Sequence, residues 1–137
     1  MSYSYTATVV KVLDGDTAVF HLTKTFTQEI DFGFHIHDTM SLTKSTQLHF
    51  RFFGINCPEI HSTDPALKAR GLAAKAEVER LCSLGPLRLV SYEMDKYGRW
   101  LADIYVTPPG LPEIWINQNL IKQGHALPYN GSGVKPV

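Results

Sequence analysis

The sequence predicts an α+β, mainly β, fold: a small antiparallel barrel with one long and one short helix packed on it. Short segments rich in Val, Thr, Tyr and Phe recur between turn signals, as is typical of strands. A helix signal begins at Asp64-Pro65, and a shorter one follows near Asn117. With 137 residues and 44% hydrophobic composition, we expect one domain over residues 1–137. Its core should cover about 5–129, with a loose tail at 130–137.

Composition limits the class of protein only weakly. The formal net charge is zero, from 13 basic and 13 acidic residues, which does not favour a broad nucleic-acid surface. Basic residues outnumber acidic ones only after residue 50, so local cation clusters remain possible there. A small enzyme that binds one or two phosphates needs no more than this.

The cysteines and the amino end bear on the cellular compartment. Cys57 and Cys82 are too few for a disulfide framework, and we interpret both as packing thiols. The segment 1–8 lacks a basic head followed by an apolar run, so no signal peptide is predicted. This leaves the compartment unknown, since the protein could be cytoplasmic or secreted after processing. No segment is apolar enough to span a membrane, and we expect a monomer.

The first strands place an acidic residue at the rim of the core. Tyr5–Leu13 is predicted as a strand, Asp14-Gly15 as a turn, and Asp16–Leu22 as the next strand. Because side chains alternate in a strand, Asp16 shares a face with Ala18, Phe20 and Leu22. It should therefore lie at the end of a core-facing row.

The next segment is less regular. Residues 29–37 alternate weakly and suggest a strand, whereas 38–45 suggest a polar hairpin loop. His35 and His37 form a His-x-His pair that could bind zinc or copper, although alternate residues on an exposed strand are the stronger interpretation. A clear strand follows at 46–55, with Arg51 on the opposite face from Phe50 and Phe52.

The second half has clear boundary signals. Asp64 should cap a helix whose buried face includes Leu67, Ala74, Val78 and Leu81, and Gly85-Pro86 should end it. Strands are predicted at 87–92 and 99–106, joined by a turn at 95–98, and a short helix at 117–123.

Three charged patches suggest phosphodiester cleavage when they are taken together. They are Asp-Gly-Asp-Thr at 14–17, the segment 51–59, and Asp-Lys-Tyr-Gly-Arg at 95–99. Each alone is an ordinary turn or strand end. In combination they offer an oxygen ligand for a hard cation, arginines for phosphate oxygens, and a carboxylate to orient water.

The strings VLDGDT, RFFGINCPE, DKYGRWLADIYV and INQNLIKQGHA resemble segments of the staphylococcal nuclease (thermonuclease) family, in the family's order. The DFGF and GINCPE strings are similar to bacteriophage and bacterial members. The resemblance covers roughly residues 5–129. It implies a five-stranded OB-fold barrel and hydrolysis of DNA and RNA with calcium, leaving 3′-phosphate ends. The family's long carboxyl-terminal helix has no counterpart, so we expect that part of the core either to be exposed or to be covered by Pro128-Tyr129.

Matched positions imply roles for individual residues. The implied metal ligands are Asp16, Asn56 and the backbone carbonyl of Cys57; the implied catalytic residues are Arg51, Glu59 and Arg99; the implied substrate-binding residues are Lys96, Tyr97 and, with its spacing off by one, Tyr129. Asn56 departs from the family, which usually has a carboxylate there. Calcium binding should then be weaker, Asp14 or Asp31 would have to compensate, or magnesium or manganese would be used.

The sequence therefore predicts a calcium-dependent endonuclease acting on single-stranded DNA or RNA. The main alternative is a catalytically weak or silent module of the same superfamily, which binds nucleic acid or protein; the change at Asn56 points mildly that way. A third alternative is an unrelated OB-fold protein with the charges on its surface. Degradation of denatured DNA with calcium, but not with chelator, separates the three.

Overall fold

The computed structural model describes residues 2–129. The predicted loose tail at 130–137 lies outside the described residues. In chain order the elements are β1 (Tyr3–Asp14), β2 (Thr17–Gly33), β3 (Ile36–Phe52), β4 (Ile55–Asn56), α1 (Pro65–Cys82), β5 (Leu87–Met94), β6 (Trp100–Val106), β7 (Ile114–Trp115), α2 (Ile116–Lys122) and β8 (Leu127–Pro128).

Five strands close into a barrel. The main sheet has the order β3-β2-β1-β5-β6-β7, and β3 also pairs with β6. That closing pair is parallel, with Arg51 opposite Leu101, whereas the other pairs are antiparallel. The predicted class, an α+β OB-type barrel with two helices, is confirmed, and β3 therefore ends beside the start of β6.

The barrel interior is filled by alternate residues of β2 and β3. Ala18, Phe20 and Leu22 are buried as the alternation predicted, and Phe50 and Phe52 meet them from the next strand. The Phe20 ring lies 6.0 Å from the ring of Phe50 and 6.3 Å from that of Phe52. Burying each such side chain contributes about 2–3 kcal/mol. These buried side chains lie next to the turn at 15–16, at the start of β2.

The long helix packs closely on the loops next to this turn. Asp64 caps it as predicted, since its Oδ1 accepts from the backbone N of Ala66 at 2.9 Å. A Cβ added at Gly15 would come within 2.6 Å of the Cβ of Ala74, and one at Gly71 within 2.7 Å of the carbonyl oxygen of Pro58. Both glycines therefore permit the close approach of α1, which sequence reasoning did not detect.

Both cysteines are buried free thiols, as expected.

The hairpin between β2 and β3 differs from the prediction. A loop at 38–45 is wrong, because paired strands continue out to a two-residue turn at Phe34-His35. Both turn residues have left-handed backbones, with φ of 54° and 65°. Hydroxyl groups face each other across the strands, as between Thr25 and Thr43 at 2.9 Å. The segment was read as a loop because strands exposed on both faces carry many polar residues.

The carboxyl end of the described chain is fixed by two sets of hydrogen bonds. Asn117, in the first turn of α2, is buried and its amide donates to the carbonyls of Phe53 (2.9 Å) and Ala102 (3.1 Å). The backbone N of Tyr129 donates to the carbonyl of Gly54 at 2.9 Å. These bonds tie the end of β3 to α2 and place Tyr129 beside that strand end. Pro128 also pairs with Ile55 of β4, and Leu127 pairs with Asn56.

Candidate active site

Asp16 lies in the turn between β1 and β2, with only 4% of its surface exposed. Its Oδ1 accepts from the hydroxyl of Thr17 at 3.0 Å, and its Oδ2 accepts from the backbone N of Cys57 at 2.8 Å. The second bond joins residues 41 positions apart. The carboxylate is therefore held firmly against the segment that follows β3.

Arg51 is the main partner of this carboxylate. Its Nη1 lies 3.1 Å from Oδ2 of Asp16, and the two side chains are only 8% and 6% exposed. Its Nη2 donates to the carbonyl of Ile55 and to Oδ1 of Asn56, both at 3.1 Å. A buried ion pair needs such additional bonds to offset the loss of hydration. The guanidinium is thus fixed in one orientation.

Asn56 and Cys57 complete this buried group. Asn56 is 7% exposed and Cys57 is 2% exposed. Burial raises the pKa of the Cys57 thiol, so it stays protonated and only its backbone carbonyl is a credible ligand for a hard cation. The donor atoms of Asp16, Asn56 and Cys57 are then all oxygens, with a single negative charge. This donor set fits a divalent cation held weakly.

Glu59 is exposed and lines a surface depression together with Asn56 and Cys57. Asp14 is nearby, and its Oδ1 accepts from the backbone N of Ile60 at 3.1 Å. Burial raises the pKa of Asp14, and the charges of Asp16 and Glu59 raise it further. Asp14 therefore lies within electrostatic range of both other carboxylates at this end of the barrel.

Asp31, the other candidate compensating ligand, is far from this group. It pairs with His37 near the hairpin turn, and its Oδ1 accepts from the backbone N of Gly33 at 2.7 Å. Fourteen positions along β2 separate Asp31 from Thr17, or about 45 Å at the usual rise of a strand. That distance removes Asp31 from the candidate ligands.

Arg99 lies on the other side of Arg51, in an open cleft of about 240 Å³. Its side chain is held by Asp95, whose Oδ2 lies 3.0 Å from both Nε and Nη2. Asp95 also accepts at Oδ1 from the backbone N of Arg99 at 2.9 Å. Burial acts to raise the pKa of Asp95, but these hydrogen bonds and the arginine charge outweigh it and lower the pKa overall. Sequence reasoning treated Asp95 only as a turn residue.

Two tyrosines and a lysine line the same cleft as Arg51 and Arg99. The Tyr129 ring lies 5.8 Å from the Arg51 guanidinium, and the Tyr97 ring lies 5.4 Å from that of Arg99. Lys96 lies 5.3 Å from the Tyr97 ring, which is 64% exposed. The cleft therefore offers cations beside exposed aromatic faces, the combination that binds phosphates and stacked bases.

The structure thus brings the nine site residues named from the sequence to one end of the barrel, in two groups. Arg51 belongs to both, since it contacts Asp16 and Asn56 and also lines the cleft that contains Arg99. Glu59 lines the neighbouring depression rather than this cleft. Two guanidinium groups therefore line one cleft, and an exposed carboxylate lies on the adjoining surface.

Two negative observations hold for residues 2–129. No group of three or more His, Cys, Asp or Glu side chains is arranged to hold a metal ion, so the His35/His37 pair has no further ligands of these types. His37 instead lies 2.8 Å from Glu29 on the hairpin. Among the helices of this part of the chain, none is long and apolar enough to cross a membrane.

Barrel and cleft together define an OB-type domain of the nuclease-like or nucleic-acid-binding class. The family model of staphylococcal nuclease homologues matches residues 49–135, which is more than half of the chain. The protein therefore belongs to this family. A comparison with curated protein sequences gave no match. The family match begins near the end of β3, so β1, β2 and most of β3 precede it.

Proposed function

We propose that this protein is a metal-dependent endonuclease that hydrolyses phosphodiester bonds in single-stranded DNA or RNA. The observation that carries the proposal is the position of Arg51, which lines the cleft with Arg99 and is also bonded to Asp16. A phosphate in this cleft would meet two guanidinium groups, whose planar forks suit phosphate oxygens. Family membership supports hydrolysis as the chemistry.

The protein's own residues have distinct roles in the proposed reaction. Arg51 and Arg99 bind non-bridging oxygens of the scissile phosphate and stabilise the charge that grows there as water attacks. Preorganised charge of this kind is usually the largest catalytic contribution. Asp95 positions Arg99, because Oδ2 of Asp95 lies 3.0 Å from both Nε and Nη2 of Arg99. Glu59, which is exposed, orients the attacking water or accepts its proton.

The donor set fits a divalent cation, which we propose to be calcium. Asp16, Asn56 and the carbonyl of Cys57 would hold it, and it would supply positive charge at the phosphate and lower the pKa of water. Since only Asp16 is charged, these residues should bind the cation weakly. Magnesium and manganese should therefore be tested as well as calcium. Asp14 is close enough to Asp16 for the charge of Asp16 to raise the pKa of Asp14, and it adds a carboxylate to the site.

The aromatic groups of the cleft support a single-stranded substrate. Tyr97 is exposed beside Lys96, which places a stacking face next to a cation for the neighbouring phosphate. Tyr129 offers a second ring above Arg51. Stacking on aromatic faces tolerates any base, so little sequence preference is expected. By family resemblance, the products would carry 3′-phosphate ends.

One observation favours a second candidate, a binding module without catalysis. Both arginines are already ion-paired within the protein, Arg51 with Asp16 and Arg99 with Asp95. If a phosphate cannot compete for these groups, nucleic acid would bind in the cleft without being cut.

Incubation with denatured DNA separates the two candidates. We expect degradation with calcium, none with chelator, and 3′-phosphate product ends resistant to extension until a phosphatase removes them. If the protein binds DNA in a gel-shift assay but does not cleave it in the presence of calcium, magnesium or manganese, it is the binding module instead. If the protein neither binds nor cleaves denatured DNA, both candidates are refuted.

A further inference from the structure

The outer part of the β2–β3 hairpin, here called the ribbon, comprises residues 23–46 and extends past the closed barrel. From Lys24 opposite Lys44 to Gly33 opposite Ile36, β2 pairs only with β3, whereas Thr23 at the base still pairs with Thr6 of β1. A two-stranded ribbon is marginally stable in water without further packing. The ribbon also lies before the segment that the family model matches.

The two faces of the ribbon differ sharply. One is a ladder of hydroxyl contacts, between Thr23 and Ser45, Thr25 and Thr43, and Thr27 and Ser41. The other continues the core-facing row of Ala18, Phe20 and Leu22 beyond the barrel. Its large apolar side chains, with exposed fractions, are Phe26 (50%), Phe32 (64%), Ile36 (59%), Met40 (41%) and Leu42 (43%). Phe34, at the turn, is 96% exposed.

Charges stand at the two ends of the apolar face. At its base, Lys24 and Lys44 lie directly opposite each other, and like charges in this position repel. Lys24 lies 5.9 Å from the Tyr3 ring and 5.7 Å from the Tyr5 ring of β1, so Lys44 is the lysine left to meet a partner. Near its tip, Asp38 lies opposite Ile30. Asp38 accepts from the backbone N of Thr39 at 2.8 Å. Six positions along β3, about 20 Å, separate Lys44 from Asp38, so they cannot meet within one chain.

We propose that the apolar face of the ribbon binds the same face of a second copy of this chain, with the two ribbons antiparallel about a two-fold axis. In this arrangement Lys44 of one copy meets Asp38 of the other at both ends. Between these ends, Leu42 packs against Met40 of the partner subunit, and Phe26 packs against Gln28 of the partner subunit. A parallel arrangement would place lysine against lysine and is disfavoured.

The size of the face suggests a modest affinity. It is about 30 Å long and about 10 Å wide, or roughly 300 Å² on each copy, less than half of a standard interface, so we expect a dissociation constant of roughly 100 µM. A nucleic-acid partner is disfavoured by the acids near the tip, Glu29, Asp31 and Asp38, which would repel phosphates. The proposed weak dimer thus differs from the monomer that we expected from the sequence.

Analytical ultracentrifugation over a range of concentrations tests the proposal. The unmodified protein should dimerise, and Met40→Glu should be monomeric because it places a charge in the apolar contact. Ser41→Glu is the matched control, since it adds the same charge to the opposite face of the same strand and should leave the dimer intact. A monomer at about 500 µM for the unmodified protein, or equal loss in both variants, overturns the proposal.

A charge exchange tests the antiparallel geometry. Lys44→Asp and Asp38→Lys should each be monomeric, because each homodimer would bring like charges together at both ends. An equal mixture of the two variants should dimerise, since every end then pairs an acid with a lysine. A mixture that stays monomeric, or dimers that form only on added DNA, would overturn it.

Circular dichroism should show that all these variants keep the barrel. Cleavage of denatured DNA should be unchanged, so this proposal and the nuclease proposal fail independently.

Discussion

Asp16 and Arg51 form a buried ion pair of 3.1 Å that joins the first turn of the barrel to the end of β3. Asp16 also binds the backbone of Cys57, and Arg51 binds the carbonyl of Ile55. One pair of side chains therefore joins the turn at Asp16 to the segment 51–57, which is distant from it in the sequence. The same pair supplies a proposed metal ligand and a proposed phosphate-binding group, so its structural and catalytic roles have to be measured separately.

Removing one partner of this pair should destabilise the protein. Asp16→Ala leaves Arg51 buried without a counter-charge, and we expect a loss of about 3–5 kcal/mol in the free energy of unfolding. Urea denaturation without added metal measures it. The control is Glu113→Ala, which breaks the exposed pair with Arg88 (2.8 Å) and should cost at most about 1 kcal/mol. Equal losses in the two variants would mean that burial gives the Asp16 pair no special weight.

Removing Arg99 should affect catalysis more than folding. Arg99→Ala should lower the rate of cleavage of denatured DNA on the order of 10²-fold, as for the loss of one preorganised donor. Arg88→Ala is a suitable control, because Arg88 is also ion-paired but lies outside the cleft. It should leave cleavage unchanged. Full activity of Arg99→Ala would remove Arg99 from the mechanism.

Restoring a carboxylate at position 56 should tighten calcium binding. Asn56→Asp adds a second negative charge to the proposed ligand set, and we expect affinity to rise roughly tenfold, since charge count tunes such sites. Isothermal titration calorimetry measures the change. Asp31→Asn, on the ribbon, should have no effect. Equal or weaker affinity in Asn56→Asp would contradict the proposed ligand.

Stability at high pH should depend on Tyr92. Its hydroxyl donates to Oδ2 of Asp103 at 2.6 Å, and this bond, with burial, raises the pKa of Tyr92 from 10.0 to about 12. A raised pKa means that the folded state favours the protonated form. The contribution is therefore complete below pH 10 and is lost as the pH rises towards 12.

Comparing the protein with Tyr92→Phe isolates this effect from other tyrosines. The variant should unfold at lower urea concentration at pH 8, and the difference should shrink steadily between pH 10 and 12. A difference that stays constant up to pH 12 would show that the bond to Asp103 is not responsible.

Local signals in the sequence predicted most element boundaries. Asp64-Pro65 specified the start of α1, and Gly124, with φ of 80°, follows the end of α2 as expected. The ribbon was missed because its many Thr and Ser residues were interpreted as a loop. That interpretation assumes that every strand has one buried, apolar face. Asn117 was missed because its role lies in bonds to Phe53 and Ala102, which no local pattern reveals.

The candidate site divides in the same way. The identities of Asp16, Arg51 and Arg99 as chemically suited groups follow from residue type and motif. Their pairing with Asp95 and Asn56 does not, because an ion pair depends on side-chain direction and distance.

The sequence alone determined that alternating apolar residues would build a small barrel and that charged groups would stand at its strand ends. Alternation and capping are local, so they are readable in the chain. Only the tertiary structure decided that β3 closes on β6, which brings Arg51 to the cleft of Arg99. Barrel closure depends on pairing between strands that are distant in the sequence, which no local pattern specifies.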